Sequence, residues 1–219
     1  MDFPVLTTLV LLPIVSGVII LLLPRRRPEL ALPLAITASL LPLGLALWIL
    51  VQFETGEAGF QFVEQVTWYE EWGISYHVGI DGISLLLVVL TSLLFPISLL
   101  ASTSISDRVH QYAANMLFLE AGILGVFVAL DLVVFFVFWE VMLVPMYLII
   151  GIWGGANRVY AAIKFFLFTA FGSALMLAAI LSLAFVARDQ LGAPSFDVVD
   201  LLGVDLTRNA QMWLFAAFG

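Results

Sequence analysis

Two acidic residues stand inside long apolar runs of this sequence, where a charge is hardest to accommodate. Glu140 lies in Phe-Trp-Glu-Val-Met-Leu-Val-Pro-Met-Tyr, and Glu120 lies in Leu-Phe-Leu-Glu-Ala-Gly-Ile-Leu-Gly. A charged side chain at the centre of a membrane helix costs about 2.5 to 3.5 kcal/mol on insertion scales, so such a residue is a functional hypothesis by default. The chemistry open to a lone carboxyl in such a place is to take up and release a proton.

Pro145 follows Glu140 by five residues and bears on the same chemistry. Proline has no N–H, so it leaves the carbonyl of Val141 without its helical partner. With Glu140 about 12 Å deep in its predicted helix, a free carbonyl nearby favours the entry of water and proton transfer. The alternative is a protonated Glu140 that only hydrogen-bonds a neighbouring helix and stabilises the packing.

Glu120 and Lys164 are the other charged residues within predicted spans. Glu120 lies in the helix before that of Glu140, about 12 Å from the inner end of that helix. This depth is similar to that of Glu140, so the two carboxyls are candidates for one proton pathway. A packing role for Glu120 is an equal alternative. Lys164 is about 7.5 Å inside its helix, and from the residues alone we expect its four-carbon stem to reach the interface.

The elements that must position these residues are membrane-spanning helices. Of the 219 residues, 63% are hydrophobic and 11% are charged, whereas a soluble domain carries about 25% charged residues. Apolar runs of about 20 residues, enough to cross about 30 Å of hydrocarbon, recur along the chain. We therefore predict an all-α polytopic membrane protein with six complete spans and the start of a seventh: Pro4 to Leu23, Leu30 to Val51, Ile83 to Ala101, Tyr112 to Leu130, Leu132 to Trp153, Val159 to Ala187, and from Ala210 onward.

The basic residues predict how these spans are oriented, because positive side chains favour the inner side of the membrane. With the amino terminus outside, six of the eight basic residues follow this rule: Arg25, Arg26, Arg27, Arg108, Arg158 and Lys164. Arg188 and Arg208 fall outside with most of the acids, including Asp2 and Glu57. The two longer connections, 52–82 and 188–209, are acidic, so neither predicts binding of nucleic acid.

Redox cofactors and an independent active site are not expected on this chain. Cysteine is absent and both histidines, His77 and His110, fall in predicted connections, so the sequence offers no thiolate cluster and no pair of axial ligands. No catalytic triad, phosphate loop or metal-ligand cluster is recognisable. Asp81 and Asp131 each precede an apolar run, which predicts that they are helix N-caps.

The run from Ala129 to Gly155, which contains the Phe-Trp-Glu segment and Pro-Met-Tyr, resembles the fifth-helix signature of subunit M of bacterial NADH-quinone oxidoreductase (complex I). The segments Ile74-Ser-Tyr-His-Val-Gly-Ile-Asp-Gly-Ile-Ser and Ala161-Ala-Ile-Lys-Phe-Phe-Leu-Phe-Thr resemble the same family in order and spacing. The resemblance covers essentially the whole chain. It favours subunit M over the related L and N subunits and over the chains of multisubunit sodium/proton antiporters.

This resemblance implies an antiporter-like fold built from inverted helical repeats, each with a broken helix. In the family, the counterpart of Glu140 pairs with a seventh-helix lysine, and Lys164 matches a lysine early in the sixth helix. The paired lysine is expected beyond Gly219, so the chain is expected to be the truncated, amino-terminal part of a longer subunit. Residues 1–111 would hold the first three helices with the outer loop 52–82, and residues 112–219 would begin the first repeat.

The function implied is that of a proton-translocating membrane subunit, which couples quinone reduction to proton pumping through Glu140, Glu120 and Lys164, with Pro145 as the helix break. Flavin and iron–sulfur clusters are expected on other subunits, and no cofactor on this one. The expected partners are membrane subunits of the L, N and K types in a bacterial inner membrane. Two alternatives stay open: a subunit of a multisubunit sodium/proton antiporter, and a structural membrane subunit without ion transport.

Overall fold

The computed structural model describes residues 3–24, 26–56 and 59–218, so the orientation expectations for Asp2, Arg25 and Glu57 lie outside the described residues. Eight α-helices are found in these ranges: α1 (Val5–Leu22), α2 (Ala31–Gln52), α3 (Gly82–Ala101), α4 (Val109–Val128), α5 (Leu132–Trp153), α6 (Arg158–Leu191), α7 (Val198–Leu201) and α8 (Arg208–Phe218).

The predicted fold class is confirmed, since six of the described helices, α1 to α6, are long and apolar enough to cross a membrane. Their ends agree with the predicted spans to within a few residues, except that α6 runs to Leu191 and has 34 residues. The short helix α7 and the 11-residue helix α8 follow, and α8 coincides with the predicted start of a seventh span.

The connection between α2 and α3 contains a β-hairpin that was not predicted. Its strands are β1 (Gln61–Tyr69) and β2 (Ile74–Ile80), paired antiparallel. The turn ends at Gly73, whose φ is 62°, a value that favours glycine. A Cβ at Gly73 would also stand 2.3 Å from the carbonyl oxygen of Pro194, so this position needs glycine for close contact as well.

Backbone hydrogen bonds join the hairpin to the rest of the protein. They connect three segments, β2, residues 129–132 and residues 196–198, which we together call the hairpin seam. Within the seam, the N–H of Leu130 donates to the carbonyl of His77 at 2.8 Å, and the N–H of Val198 donates to the carbonyl of Leu130 at 2.8 Å. Two isolated antiparallel bridges, Val78 to Ala129 and Asp131 to Asp197, continue this pairing. The seam therefore connects three chain segments on one side of the helix bundle, which we call the hairpin side.

Asp131 lies at the centre of the hairpin seam and confirms the predicted N-cap of α5. One carboxyl oxygen accepts hydrogen bonds from the N–H groups of Val133 and Val134, and the other accepts from the N–H of Ser75 in β2 at 3.0 Å. Burial raises the pKa of the Asp131 carboxyl, and the three N–H donors oppose that rise. The predicted cap at Asp81 is confirmed too, as a capping box with Ser84.

Glu64 of β1 fixes the hairpin to the start of α1. Its carboxylate accepts hydrogen bonds from the backbone N–H of Leu6 at 2.7 Å and of Thr7 at 3.2 Å. These are N–H groups in the first turn of a helix, which have no partner within the helix itself. The N-cap residue, Pro4, makes no side-chain cap. The cap of α1 is therefore supplied by Glu64, which lies 58 positions beyond Leu6 in the sequence.

Helices α4 and α5 approach each other closely where α4 carries glycine. A Cβ at Gly125 would lie 2.3 Å from Cδ1 of the Phe138 ring, and one at Gly122 would lie 2.7 Å from the Cβ of Met142. Small residues at a helix interface let backbones come together in a membrane, where there is no hydrophobic drive for association. The two glycines thus set the distance and the facing sides of α4 and α5.

We expect Gly125→Ala in the full-length subunit to lower stability by about 1 to 3 kcal/mol, because the added methyl group must displace the Phe138 ring. Gly44→Ala is the matched control. A Cβ at Gly44 meets nothing within 4 Å, and alanine is favoured over glycine in a helix interior by about 1 kcal/mol. The midpoints of thermal unfolding in detergent should move in opposite directions. Equal midpoints for the two variants would contradict the close α4–α5 contact.

We expect Asp131→Ala to destabilise the subunit more than Asp81→Ala. Both variants lose an N-cap, which costs about 1 kcal/mol, but Asp131→Ala also leaves the buried Ser75 N–H without an acceptor, which adds about 1 to 3 kcal/mol. Unfolding midpoints in detergent measure the difference. The same midpoint for both variants would show that the Ser75 hydrogen bond contributes nothing.

Candidate functional site

Glu140 lies on the side of α5 that faces away from α4. Phe138 and Met142 make the contacts with α4, and Glu140 is two residues from each, which is about 200° around a helix with 3.6 residues per turn. Its side chain is partly buried, and within the described ranges its Oε1 atom is buried without a hydrogen-bond partner. A buried polar atom of this kind calls for a partner, because leaving it unpaired costs about 1 to 3 kcal/mol.

Ser173 of α6 lies at the same level as Glu140. Two contacts fix the antiparallel register of α5 and α6: a Cβ at Gly151 would lie 3.4 Å from the Cβ of Ala162, and the rings of Tyr147 and Phe166 have centroids 5.6 Å apart. The same register carried along both helices sets residue 173 opposite residue 140. Ser173 is 5% exposed, and its hydroxyl is also without a partner in the part of the chain that the structure describes.

The surroundings of this pair of residues are apolar on the hairpin side. Met176 and Ile180 of α6 pack there against Phe136 and Trp139 of α5, and the Trp139 ring stacks on that of Phe135 with a centroid distance of 6.0 Å. Toward the other end of α5, Pro145 lacks an N–H and leaves the carbonyl of Val141 free. Among the described residues, the Ser173 hydroxyl and the Val141 carbonyl are thus two polar groups near Glu140 that have hydrogen-bonding capacity to spare.

Glu120 is on the other side of α4 from α5. It lies two residues before Gly122, which contacts Met142 of α5, and this again is about 200° around the helix. Glu120 is fully buried, at 0% exposure. Its neighbours on the same face of α4, Leu117 and Leu124, belong to clusters formed with α1, α2 and α3. The carboxyls of Glu120 and Glu140 thus point in opposite directions from the α4–α5 interface, although both are predicted site residues.

Lys164 also points away from Glu140. Ala162 faces Gly151 of α5, and Lys164 follows it by two residues, so the lysine lies on the opposite face of α6. Its side chain is exposed in this chain, and its Nζ atom is 6.0 Å from the centroid of the Tyr160 ring. The structure therefore does not bring the three predicted charged residues into one cluster.

His77 and Asp197 form a buried hydrogen-bonded pair that sequence reasoning missed. His77 lies in β2, and its Nδ1 atom is 2.6 Å from Oδ2 of Asp197, which precedes α7. The 120 residues between the two partners explain why no local pattern indicates the contact. Among the described residues there is no group of three or more His, Asp or Glu that could hold a metal ion, and the pair serves to fix the hairpin seam.

The arrangement of Glu140 and Ser173 is suited to handling a proton. A carboxyl group can be neutral or charged, and a serine hydroxyl can donate one hydrogen bond and accept others. A role for Ser173 could be predicted from the sequence only if the register of α5 and α6 were known, because a single serine in an apolar helix is common.

Comparison with known proteins gives consistent relatives for the whole length of the chain. Residues 31–130 match the family described as NADH-ubiquinone oxidoreductase chain 4, amino terminus. Residues 129–218 match the family described as NADH:quinone oxidoreductase/Mrp antiporter, TM. The two matches meet at the hairpin seam, next to Asp131.

Individual relatives agree with these families. The chain is 44% identical to NADH-quinone oxidoreductase subunit M of Rhodobacter capsulatus over 84% of its own length and 37% of that protein. It is 38% identical to F(420)H(2) dehydrogenase subunit M of Methanosarcina mazei over 91% of its length and 40% of that protein. The chain thus spans less than half the length of these relatives.

A solved structure shows the same fold. A chain of respiratory complex I from Thermus thermophilus with bound NADH superposes with a TM-score of 0.80 at 32% identity, over 97% of this chain and 42% of that one. The sequence families, the relatives and this structure all agree with the resemblance found in the sequence. The chain belongs to the family of antiporter-like membrane subunits shared by NADH:quinone oxidoreductases and Mrp antiporters.

Proposed function

We propose that this chain is part of a proton-translocating membrane subunit of a respiratory NADH:quinone oxidoreductase, and that Glu140 carries the proton. The main support is the buried Oε1 atom of Glu140, which has no partner within the described residues and lies at the level of the equally unpaired Ser173 hydroxyl. Membership in the family supports the same function. An acid held in apolar surroundings with few polar partners is the pattern of an intramembrane proton carrier.

Each residue near Glu140 has a separate part in this function. The Glu140 carboxylate takes up a proton and becomes neutral, which lowers the cost of its burial. The hydroxyl of Ser173 accepts a hydrogen bond from the protonated form or donates one to the charged form. The carbonyl of Val141, the residue after Glu140, is freed by Pro145 and offers a further acceptor.

Two further groups, a lysine beyond residue 219 and Lys164, enter by resemblance to the family, whereas Glu120 enters from its place within an apolar helix alone. A lysine beyond residue 219 would pair with Glu140 and stabilise its charged form. Lys164 would act from the opposite face of α6, with a partner other than Glu140. Glu120 would be a second mid-membrane acid, on the far side of α4. In this assignment, residues 1–111 form the accessory part and residues 112–219 begin the first antiporter-like repeat.

The same proposal sets the cellular context. The subunit would lie in a bacterial inner membrane, with the hairpin side and the amino terminus outside. Arg26, Arg27, Arg108 and Arg158 support this orientation, because they stand at helix ends on the opposite side from the hairpin. The partners would be further membrane subunits of the L, N and K types. Flavin and iron–sulfur clusters would be carried by other subunits, with no redox step on this chain.

The relatives differ in the electron donor that their names specify, NADH in one case and F(420)H(2) in another. Because we place no redox step on this chain, its residues do not select the donor. The assignment to an NADH-driven complex is therefore supported by the Thermus thermophilus structure and the subunit M relatives rather than by Glu140 itself.

We expect Glu140→Gln, made in the full-length subunit within the assembled complex, to reduce both NADH-driven quinone reduction and the proton gradient by about tenfold or more, since a general acid–base group contributes at least that much. Inverted membrane vesicles allow both to be measured on one preparation, with assembly checked by native electrophoresis.

Glu29→Gln is the matched control for that variant, because Glu29 is an exposed acid in the short 3-10 helix Pro28–Leu30 that precedes α2. It should leave both activities at the wild-type level. Wild-type activity in the Glu140→Gln complex would make Glu140 a packing residue and contradict the proposal. Proton movement driven by an imposed sodium gradient, in the absence of NADH, would favour the sodium/proton antiporter alternative.

We expect Ser173→Ala to lower the proton-pumping rate about fivefold, the effect of losing one hydrogen bond worth about 1 kcal/mol. Ser173→Thr keeps the hydroxyl and should restore most of the rate. Ser182→Ala is the control on the same helix, since Ser182 is exposed and bonds only its own helix at Ala178. Equal rates for Ser173→Ala and Ser182→Ala would remove Ser173 from the pathway.

A further inference from the structure

Helices α1, α2, α3 and α4 form a bundle with two apolar layers. A third layer, of different composition, lies between them. The apolar layer on the hairpin side includes Leu9, Ile49, Val88 and Leu124. The other apolar layer lies on the opposite side of the bundle, which we call the far side, and includes Ile20, Ala35, Phe95 and Leu117. Each of the four helices contributes to both layers, so the residues between them occupy the middle of the membrane.

The middle layer contains polar residues and prolines. Ser39 of α2, Ser92 of α3 and Glu120 of α4 are each 0% exposed, and Pro13 of α1 and Pro42 of α2 are buried with them. None of these five residues belongs to either apolar layer. A polar layer of this kind is costly in hydrocarbon unless its groups find partners.

Ser92 and Glu120 lie at the same level of the antiparallel α3–α4 interface. Ser92 is four residues after Val88 and three before Phe95. Glu120 is four residues before Leu124 and three after Leu117. Because Val88 and Leu124 share the hairpin-side layer and Phe95 and Leu117 share the far-side layer, the two residues between them face each other.

The polar groups of this layer have hydrogen-bonding capacity that the protein leaves unused. Within the described ranges, both carboxyl oxygens of Glu120 and the hydroxyl of Ser92 are buried without a partner. Pro96 has no N–H, so the carbonyl of Ser92 lacks its helical donor. Pro42 leaves the carbonyl of Ala38 free in the same way. Water both donates and accepts hydrogen bonds, so it can connect these groups with the freed carbonyls.

No charged partner for Glu120 is available in this bundle. The sequences of α1, α2 and α3 contain no Asp, Glu, His, Lys, Arg or Tyr. On α4 itself, the other titratable residues are His110 and Tyr112, more than two turns from Glu120 toward the far-side end. Glu140 and Tyr147 are on α5, against the other face of α4. A buried carboxylate without a counter-charge is neutralised by protonation.

We propose that Glu120 is a protonated carboxyl that binds water between α3 and α4, and that Ser92 is its partner across this water. One water molecule can accept from the carboxyl O–H of Glu120 and from the Ser92 hydroxyl, and it can donate to the freed carbonyl of Ser92. Buried waters make about three such bonds to otherwise unpaired groups. This site is separate from Glu140 and exists whether or not Glu140 carries protons.

The direct test is a high-resolution electron cryo-microscopy map of the assembled complex. We expect density for at least one water within hydrogen-bonding distance of both Glu120 and Ser92, and its loss in Ser92→Ala. A direct Glu120–Ser92 contact with no density between them would overturn the proposal. Density bound by several oxygens at distances shorter than hydrogen bonds would also overturn it, in favour of a metal cation.

Infrared difference spectra give the protonation state of Glu120. Wild type minus Glu120→Gln should show the C=O band of a neutral carboxylic acid that shifts in D2O. Ser92→Ala should move this band to higher frequency, because the acid loses hydrogen bonds but remains protonated. A carboxylate band in its place would overturn the proposal. The Glu140→Gln pumping assay is independent of these bands, so failure of one proposal does not imply failure of the other.

Discussion

Hydrocarbon offers no hydrogen bonds, so every polar backbone group inside the membrane must be satisfied by the protein itself. In this chain the helices meet that requirement almost everywhere, and the exceptions occur at prolines. Pro13, Pro42, Pro96 and Pro145 each interrupt a different spanning helix. The carbonyl freed by Pro96 is that of Ser92, at the level of Glu120. The carbonyl freed by Pro145 is that of Val141, the residue after Glu140. The positions of Glu120 and Glu140 are thus linked to the few places where the helical ladder is incomplete.

The two acids have different environments, and the α4–α5 contact separates them. Gly122 and Gly125 bring these helices together so closely that each acid must point away from the contact. Glu120 is enclosed by helices without a titratable side chain, whereas Glu140 lies beside α6 with Ser173 opposite. In the two proposals, the same side-chain type therefore serves two different purposes: one carboxyl changes its protonation, and the other remains neutral.

The spans, the helix caps and the membrane class could be predicted from the sequence, because hydropathy and N-cap residues act locally. Asp81 and Asp131 are examples, each identified by the apolar run that follows it. The hairpin could not be predicted with the same means, although Val63, Val66, Trp68, Tyr76 and Val78 are residue types that favour strands. Its turn, Glu70–Trp72 followed by Gly73, lacks the Asn-Gly or Asp-Gly pair of the common hairpins. The roles of Ser92 and Ser173 depend on which helices are neighbours, and that information is not local.

The length of α6 has a mechanical consequence. Its 34 residues extend about 51 Å at 1.5 Å per residue, against about 30 Å of hydrocarbon. In a rod of that length, a tilt of about 10° around its centre displaces each end by about 4 Å. The bond of 2.6 Å between His77 and Asp197, just beyond the end of α6, is shorter than that displacement. Movement of this end of α6 must therefore be taken up by the connection 192–196, by movement of the hairpin, or by loss of this bond.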